Sequence, residues 1–90
     1  MQERVGMKIT GRVQGIFFRH SARIRAEKLG IVGTAQNNPD GSLEIIAEGK
    51  QPELEQLIEW CRHGPPLARV GEIEITWERA NGEFKAFTIL

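Results

Sequence analysis

The sequence predicts an α+β fold in which two helices cover one face of an antiparallel sheet, in the order β-α-β-β-α-β with a short extra C-terminal strand. Three observations point there. The hydrophobic period changes from alternating to helical at a glycine-containing junction near residue 15, and an NPDG turn joins two segments of strand character. Farther on, Leu54, Leu57, Ile58 and Cys61 fall at i, i+3, i+4 and i+7.

Each element has its own justification. Val5, Met7, Ile9 and Val13 lie on one side of an alternating segment, with Lys8, Thr10 and Arg12 on the other, as in a half-buried strand. After GRVQG, Phe18, Ala22, Ala26 and Leu29 recur at helical spacing, and Gly30 is placed to end that helix. Ile24 does not fit the stripe. IVGTAQNNPDGSLEIIAEG reads as a hairpin, although Ile46 makes its second face less polar than expected. In PELEQLIEWCR, Pro52 suits a first helical position, Glu53 and Glu55 suit the positive end of the helix, and HGPP stops it. Ile73, Ile75 and Trp77 then alternate with Glu72, Glu74, Thr76 and Glu78 as a strand, and EFKAFTIL supplies the short last one. This order is the ferredoxin-like pattern, which hosts many unrelated functions and therefore decides none.

Ninety residues make one folding unit, so a single domain is expected over residues 1–90. With 40% hydrophobic and 27% charged residues the composition is that of a globular protein, which sets aside disordered and fibrous classes. No apolar run approaches the ~20 residues that cross a bilayer, and MQERVGMK lacks the apolar stretch of a signal peptide. The single Cys61 fits a reducing compartment. A cytoplasmic protein without a membrane partner is the expectation.

The formal net charge is zero, which argues against a binder that relies on neutralising nucleic-acid phosphates. Its distribution is uneven. Residues 1–36 carry seven cations and two acids, a net of +5, and residues 37–90 carry the opposite charge. Such segregation favours attraction of a small anion to the basic part, and the strand-to-helix junction GRVQGIFFRH lies in that part.

The chemistry available at the junction is anion binding. Gly11 and Gly15 permit tight turns and a close approach of the backbone, the amides from Gly15 through Arg19 can converge on a ligand, and Arg19 adds a planar fork of donors. On the local pattern alone the plainer reading also stands: the glycines shape a turn, the phenylalanines are core, and Arg19 is solvated. His20, His63 and Cys61 have no ligand-like spacing, so no metal is expected. His20 reads as a surface histidine, Cys61 as a buried inert thiol, and Asp40 as a turn former. Asn37 shares the alternation of Ile31, Gly33 and Ala35, where a neutral amide can hold a water by donating and accepting together.

GRVQGIFFR, LGIVGTAQNNPDG, LEIIAEG and GPPLARV, in this order and spacing, resemble the acylphosphatase family from about Met7 to the end of the chain. The resemblance implies an acylphosphatase, a hydrolase that splits the carboxyl-phosphate bond of acyl phosphates into a carboxylate and inorganic phosphate. It implies that Arg19 holds the phosphoryl group, that Asn37 orients the attacking water, and that the loop Gln14, Gly15, Ile16, Phe17 and Phe18 supplies backbone amides to the phosphate oxygens. Neither a metal nor an organic cofactor is implied, and the partner is a small-molecule acyl phosphate. One departure stands out: Thr34 occupies a place where many family members carry tryptophan. The alternative is a non-catalytic ferredoxin-like module that binds a small phosphorylated metabolite with the same cradle. A sheet-face RNA binder is disfavoured because LEIIAEG has no aromatic residue. An isolated piece of a larger carbamoyl-handling protein is a third reading, against which the chain's start and end set the expectation of a free-standing monomer. Nothing in the sequence defines a selective pocket for the acyl part.

Overall fold

The computed structural model describes residues 2–90. Its elements are β1 (Glu3–Arg12), α1 (Phe18–Lys28), β2 (Val32–Asn37), β3 (Leu43–Gly49), α2 (Gln51–Cys61), β4 (Arg69–Arg79) and β5 (Phe87–Ile89), in the order read from the sequence.

Strand alternation decides the sheet. β1 pairs antiparallel with β3 and with β4, and β2 pairs antiparallel with β3, in registers that bring Val5, Met7, Ile9, Leu43, Ile45, Ala47 and Ala35 to one face. All of these are fully buried beneath the helices. The short β5 joins the outside of β2 in parallel, which makes the five-stranded sheet β4-β1-β3-β2-β5 mixed at one edge. Trp77 follows the inward alternation of β4 but stays partly exposed, because β4 is the other edge.

Both helices are held mainly by burial. Neither has a side-chain N-cap. Leu54, Leu57, Ile58 and Cys61 of α2 and Phe18, Ala22 and Ala26 of α1 enter the core, as the helical spacing predicts. Full burial of a large apolar side chain is worth ~1.5–3 kcal/mol, more than the ~0.3–1 kcal/mol of a helix-end charge, so Leu54 and Leu57 outweigh Glu53 in fixing α2. α1 ends in paired bonds from the Gly30 amide to Glu27 O (3.2 Å) and from the Ile31 amide to Ala26 O (2.9 Å), which satisfy its last carbonyls. Trp60 covers the edge of α2 by meeting Phe18 edge-on, with ring centroids 5.5 Å apart. Ile24, which the stripe left unexplained, is partly exposed in a groove with Trp60, Pro65 and Pro66.

Two details fix the parts of the chain that surround the junction. Gly11 has φ 119° at a β-bulge, and a Cβ there would lie 2.2 Å from Arg69 O. The close approach expected of Gly11 is therefore to β4, not to a ligand. At the far end of the central strand β3, Glu48 is only 2% exposed. It accepts from Arg4 Nε (2.8 Å) and from the amides of Asn81 (3.0 Å) and Gly82 (3.2 Å). Arg4 also pairs with Glu83 and lies over the Phe84 ring. Burial pushes the Glu48 carboxyl upward, but the Asn81 amide, Arg4 and the Gly82 amide outweigh it and hold the carboxyl below its usual range. This network ties the segment before β5 to the sheet and so places β5 beside β2.

Candidate active site

The loop between β1 and α1 is anchored by two buried side chains, Val13 and Ile16. Between and after them the backbone changes hand. Gly15 has φ 77° and Phe17 has φ 62°, whereas Ile16 keeps a negative φ. Alternation of this kind turns successive amides toward one concave side and makes a nest for an anion. The left-handed conformation costs an ordinary L-residue ~1–2 kcal/mol, so Phe17 is held there by its surroundings.

α1 begins where the loop ends, and its N-terminus remains open. Ser21 is bonded to Phe17 O at 2.9 Å. Among the described residues, the amides of Ile16 through His20 have no hydrogen-bond acceptor, and the first turn contains no acidic residue. The helix dipole adds positive potential at the same place. Half-buried Arg19 directs its guanidinium toward β5, where Nη1 donates to Leu90 O at 2.8 Å. One donor is engaged and the rest of the fork stays available.

Asn37 closes the opposite side. It is the last residue of β2 and points inward in the alternation of Gly33 and Ala35. Its Oδ1 is buried without a hydrogen-bond partner. A buried unsatisfied carbonyl oxygen costs ~1–3 kcal/mol, which a water or ligand donor seated there removes.

The loop and the β2–β3 turn are fastened together by Gln14. Its Nε2 donates to Asn38 O (2.8 Å) and to Ser42 O (2.9 Å), so its side chain faces the turn and only its backbone belongs to the nest. The turn is itself well ordered by side chains. Asp40 Oδ1 accepts from the Ser42 hydroxyl (2.6 Å) and the Ser42 amide (2.9 Å), and Asn38 Nδ2 donates to Ser42 Oγ (3.0 Å). Those two donors, with Lys8 at 3.3 Å, hold the Asp40 carboxyl down at about 2. Asp40 is thus the turn former expected, and Asn38 does turn chemistry beside it.

Gly15, Phe17, Phe18, Arg19 and Asn37 line one cleft of about 240 Å³. Ile16 is in the core and Gln14 lies behind the nest, so these two loop residues do not line it. Three lining residues were not singled out as site residues: Val13, His20 and Ile89. His20 is exposed, as expected, but sits at the cleft, with Nδ1 3.4 Å from Arg23 Nη2. Ile89 and the Leu90 carbonyl arrive through the parallel pairing of β5 with β2, for which the sequence carries no local signal. Cys61 is buried elsewhere, and burial pushes its thiol up to about 12.

A larger concavity of about 410 Å³ lies on the open face of the sheet. There Arg4 and Lys8 are already paired, to Glu48 and Glu83 and to Asp40, while Glu44, Glu74 and Glu78 add negative charge. It repels an anion. The smaller cleft, with open amides, one Arg fork and an unsatisfied Asn oxygen, suits a tetrahedral oxyanion with a water beside it.

Known proteins agree with this geometry. The acylphosphatase family model matches residues 5–89. An acylphosphatase of Rubrobacter xylanophilus is 45% identical over 87 residues, covering 97% of this chain and 79% of that protein. One of Methylococcus capsulatus is 43% identical over 88 residues, covering 98% and 96%. Among solved structures, the acylphosphatase from Bacillus subtilis superposes with a TM-score of 0.94 at 32% identity and covers 98% of each chain. Full-length HypF in its phosphate- and nucleotide-bound form contains a similar region, with a TM-score of 0.91 and 28% identity over all of this chain and 12% of that one. BlsA in its photo-activated state, at 17% identity and a TM-score of 0.76, shares the fold alone.

Proposed function

Because the chain belongs to the acylphosphatase family, we propose that it hydrolyses acyl phosphates at this cleft, with the phosphoryl group seated on the loop amides and Arg19 and the attacking water held by Asn37. What supports this assignment of roles is that Asn37, whose buried Oδ1 has no hydrogen-bond partner, lines the same cleft as Gly15, Phe17, Phe18 and Arg19 of the nest.

The chemistry asks little more of the protein. An acyl phosphate has a carboxylate leaving group, so the barrier lies mainly in bringing water in line with phosphorus and in holding charge on the transferring oxygens. Water oxygen bonds to phosphorus, the bond from phosphorus to the acyl oxygen breaks, and its electron pair leaves on the carboxylate. The water protons pass to phosphate oxygens, giving a carboxylate and dihydrogen phosphate with no proton taken by a side chain. Asn37 Oδ1 accepts a hydrogen bond from the water and thereby aims its lone pair. Arg19, steadied by Leu90 O, and the nest amides supply donors that strengthen as charge spreads over the phosphoryl oxygens. The wider reading is of a monomeric enzyme of the cytoplasm; the buried free thiol of Cys61 supports the location, and among the described residues no helix is long and apolar enough to cross a membrane.

The test is loss of the ultraviolet absorbance of benzoyl phosphate, with and without chelator, for the wild type, Arg19→Ala and Asn37→Ala. The wild type turns over in chelator. Asn37→Ala loses on the order of 10²–10³ in kcat and keeps its affinity for inorganic phosphate, whereas Arg19→Ala loses both. A folded wild type that binds phosphate without turnover overturns the reading in favour of a phosphometabolite sensor.

A further inference from the structure

Holding a phosphoryl group on the nest and Arg19 leaves one polar ring at the cleft without a task, His20. It belongs to the first turn of α1. Side chains on a helix lean toward its N-terminus, which brings this ring toward the open amides at the start of α1. One turn farther on lies Arg23, half-buried, and among the described residues no carboxylate stands within salt-bridge distance of it. Arg23 Nη2 is 3.4 Å from His20 Nδ1. A guanidinium can only donate, so Nδ1 accepts and the neutral ring carries its proton on Nε2, where no protein group among the described residues accepts it. Protonation of Nδ1 sets two donors against each other. Neither Asp nor Glu lines the cleft to compensate, and the lining residues from the other elements, Val13, Asn37 and Ile89, do not titrate. A tetrahedral dianion in the cleft supplies the missing counter-charge.

We propose that His20 is a further donor to the bound oxyanion, and that it takes up a proton as a tetrahedral dianion enters the cleft. This rests on the reading of the cleft as a phosphoryl site. The added cation strengthens the hold on the anion, and the empty cleft does not carry it beside Arg19 and Arg23. Histidine is the side chain whose charge changes between pH 5 and 8, so the coupling appears as anion affinity that rises as the pH falls through that range. His63, the other histidine of the chain, does not line the cleft and lies near Glu59 on α2.

The experiment measures the Kd of sulfate by calorimetry at pH 5.5 and pH 8, since sulfate is a tetrahedral dianion whose own charge does not change between them. The wild type should bind about fivefold more tightly at pH 5.5, the effect of unit charges ~4 Å apart in water. His20→Gln, which keeps a donor but no charge, should bind equally at both pH values and near the wild-type level at pH 8. His20→Lys, a permanent cation, should also be insensitive to pH but near the wild-type level at pH 5.5. His63→Gln should keep the wild-type ratio. A ratio as large in His20→Gln as in the wild type, or no dependence on pH in the wild type, overturns the proposal. Absence of sulfate binding at either pH overturns it together with the phosphoryl site. Sulfate binding with this dependence by a wild type that leaves benzoyl phosphate intact ends the hydrolase reading alone and keeps His20 in an anion site.

Discussion

Gln14 carries the connection between the phosphate nest and the β2–β3 turn, and replacing it with alanine measures that connection. The substitution removes two bonds, to Asn38 O and Ser42 O. Each is worth ~0.5–1.5 kcal/mol net, and the full penalty of an orphaned carbonyl is avoided. Asn38 O still accepts from the Gly41 amide at 3.1 Å, and Ser42 O from the Asn38 amide at 2.8 Å. The expected loss is therefore about 1–3 kcal/mol in urea denaturation, within the ~5–13 kcal/mol that a chain of this size commands, so the variant stays folded. Because the nest and Asn37 then lose their common brace, inhibition by inorganic phosphate weakens about fivefold to tenfold and kcat falls with it, as small displacements of catalytic groups do. Gln14→Glu sets an acceptor-only carboxylate against two carbonyl oxygens and ranks below alanine in both measurements. Stability within about 0.3 kcal/mol of wild type, with phosphate inhibition unchanged, refutes the idea that Gln14 holds loop and turn together.

Other positions give separate tests. A Cβ on Gly33 would lie 1.9 Å from Ile46 O and 2.9 Å from Ala47 Cα, both backbone, at a φ of 153°. Gly33→Ala must therefore push β2 from β3, and denaturation should register a loss of at least about 3 kcal/mol, from overpacking and backbone strain together. Asp40 is held at about 2 against a usual 3.8, so its contribution to the turn is present in full above about pH 4 and is lost as the pH falls toward 2. In Ser42→Ala, which removes the largest cause of that depression, the carboxyl should titrate at higher pH by NMR. The Cys61 thiol, pushed up to about 12 by burial, should resist iodoacetamide at pH 8 in the native protein and react once urea unfolds it.

Most of the fold was legible because its signals are local. Alternation in β1, β3 and β4, helical spacing in α2, and NPDG between β2 and β3 each follow from side-chain direction over a few residues. The site was legible in a different way. Arg19 and Asn37 stand in neighbouring motifs whose resemblance to a known family gave them roles, and the fold brings both to one cleft. What stayed hidden depends on contacts between distant segments. Gly11 serves the β1–β4 bulge, Gln14 reaches across to Asn38 and Ser42, and Ile89 enters the cleft through the parallel pairing of β5 with β2, which follows the segment that Glu48 and Arg4 hold. The left-handed Phe17 was hidden for the opposite reason: the sequence offers phenylalanine where the backbone conformation favours glycine, and no propensity rule predicts that choice. Thr34, which departs from the commoner tryptophan, sits on the open sheet face opposite Ile46 and Thr88, away from the residues that line the cleft.

The central claim is that water held by Asn37 attacks phosphorus while the nest and Arg19 hold the phosphoryl oxygens. Hydrolysis of benzoyl phosphate in ¹⁸O-water, with both products analysed by mass spectrometry, tests it directly. The account predicts that the label appears in inorganic phosphate and not in benzoate. Label in benzoate would place the attack at the carbonyl carbon and contradict it.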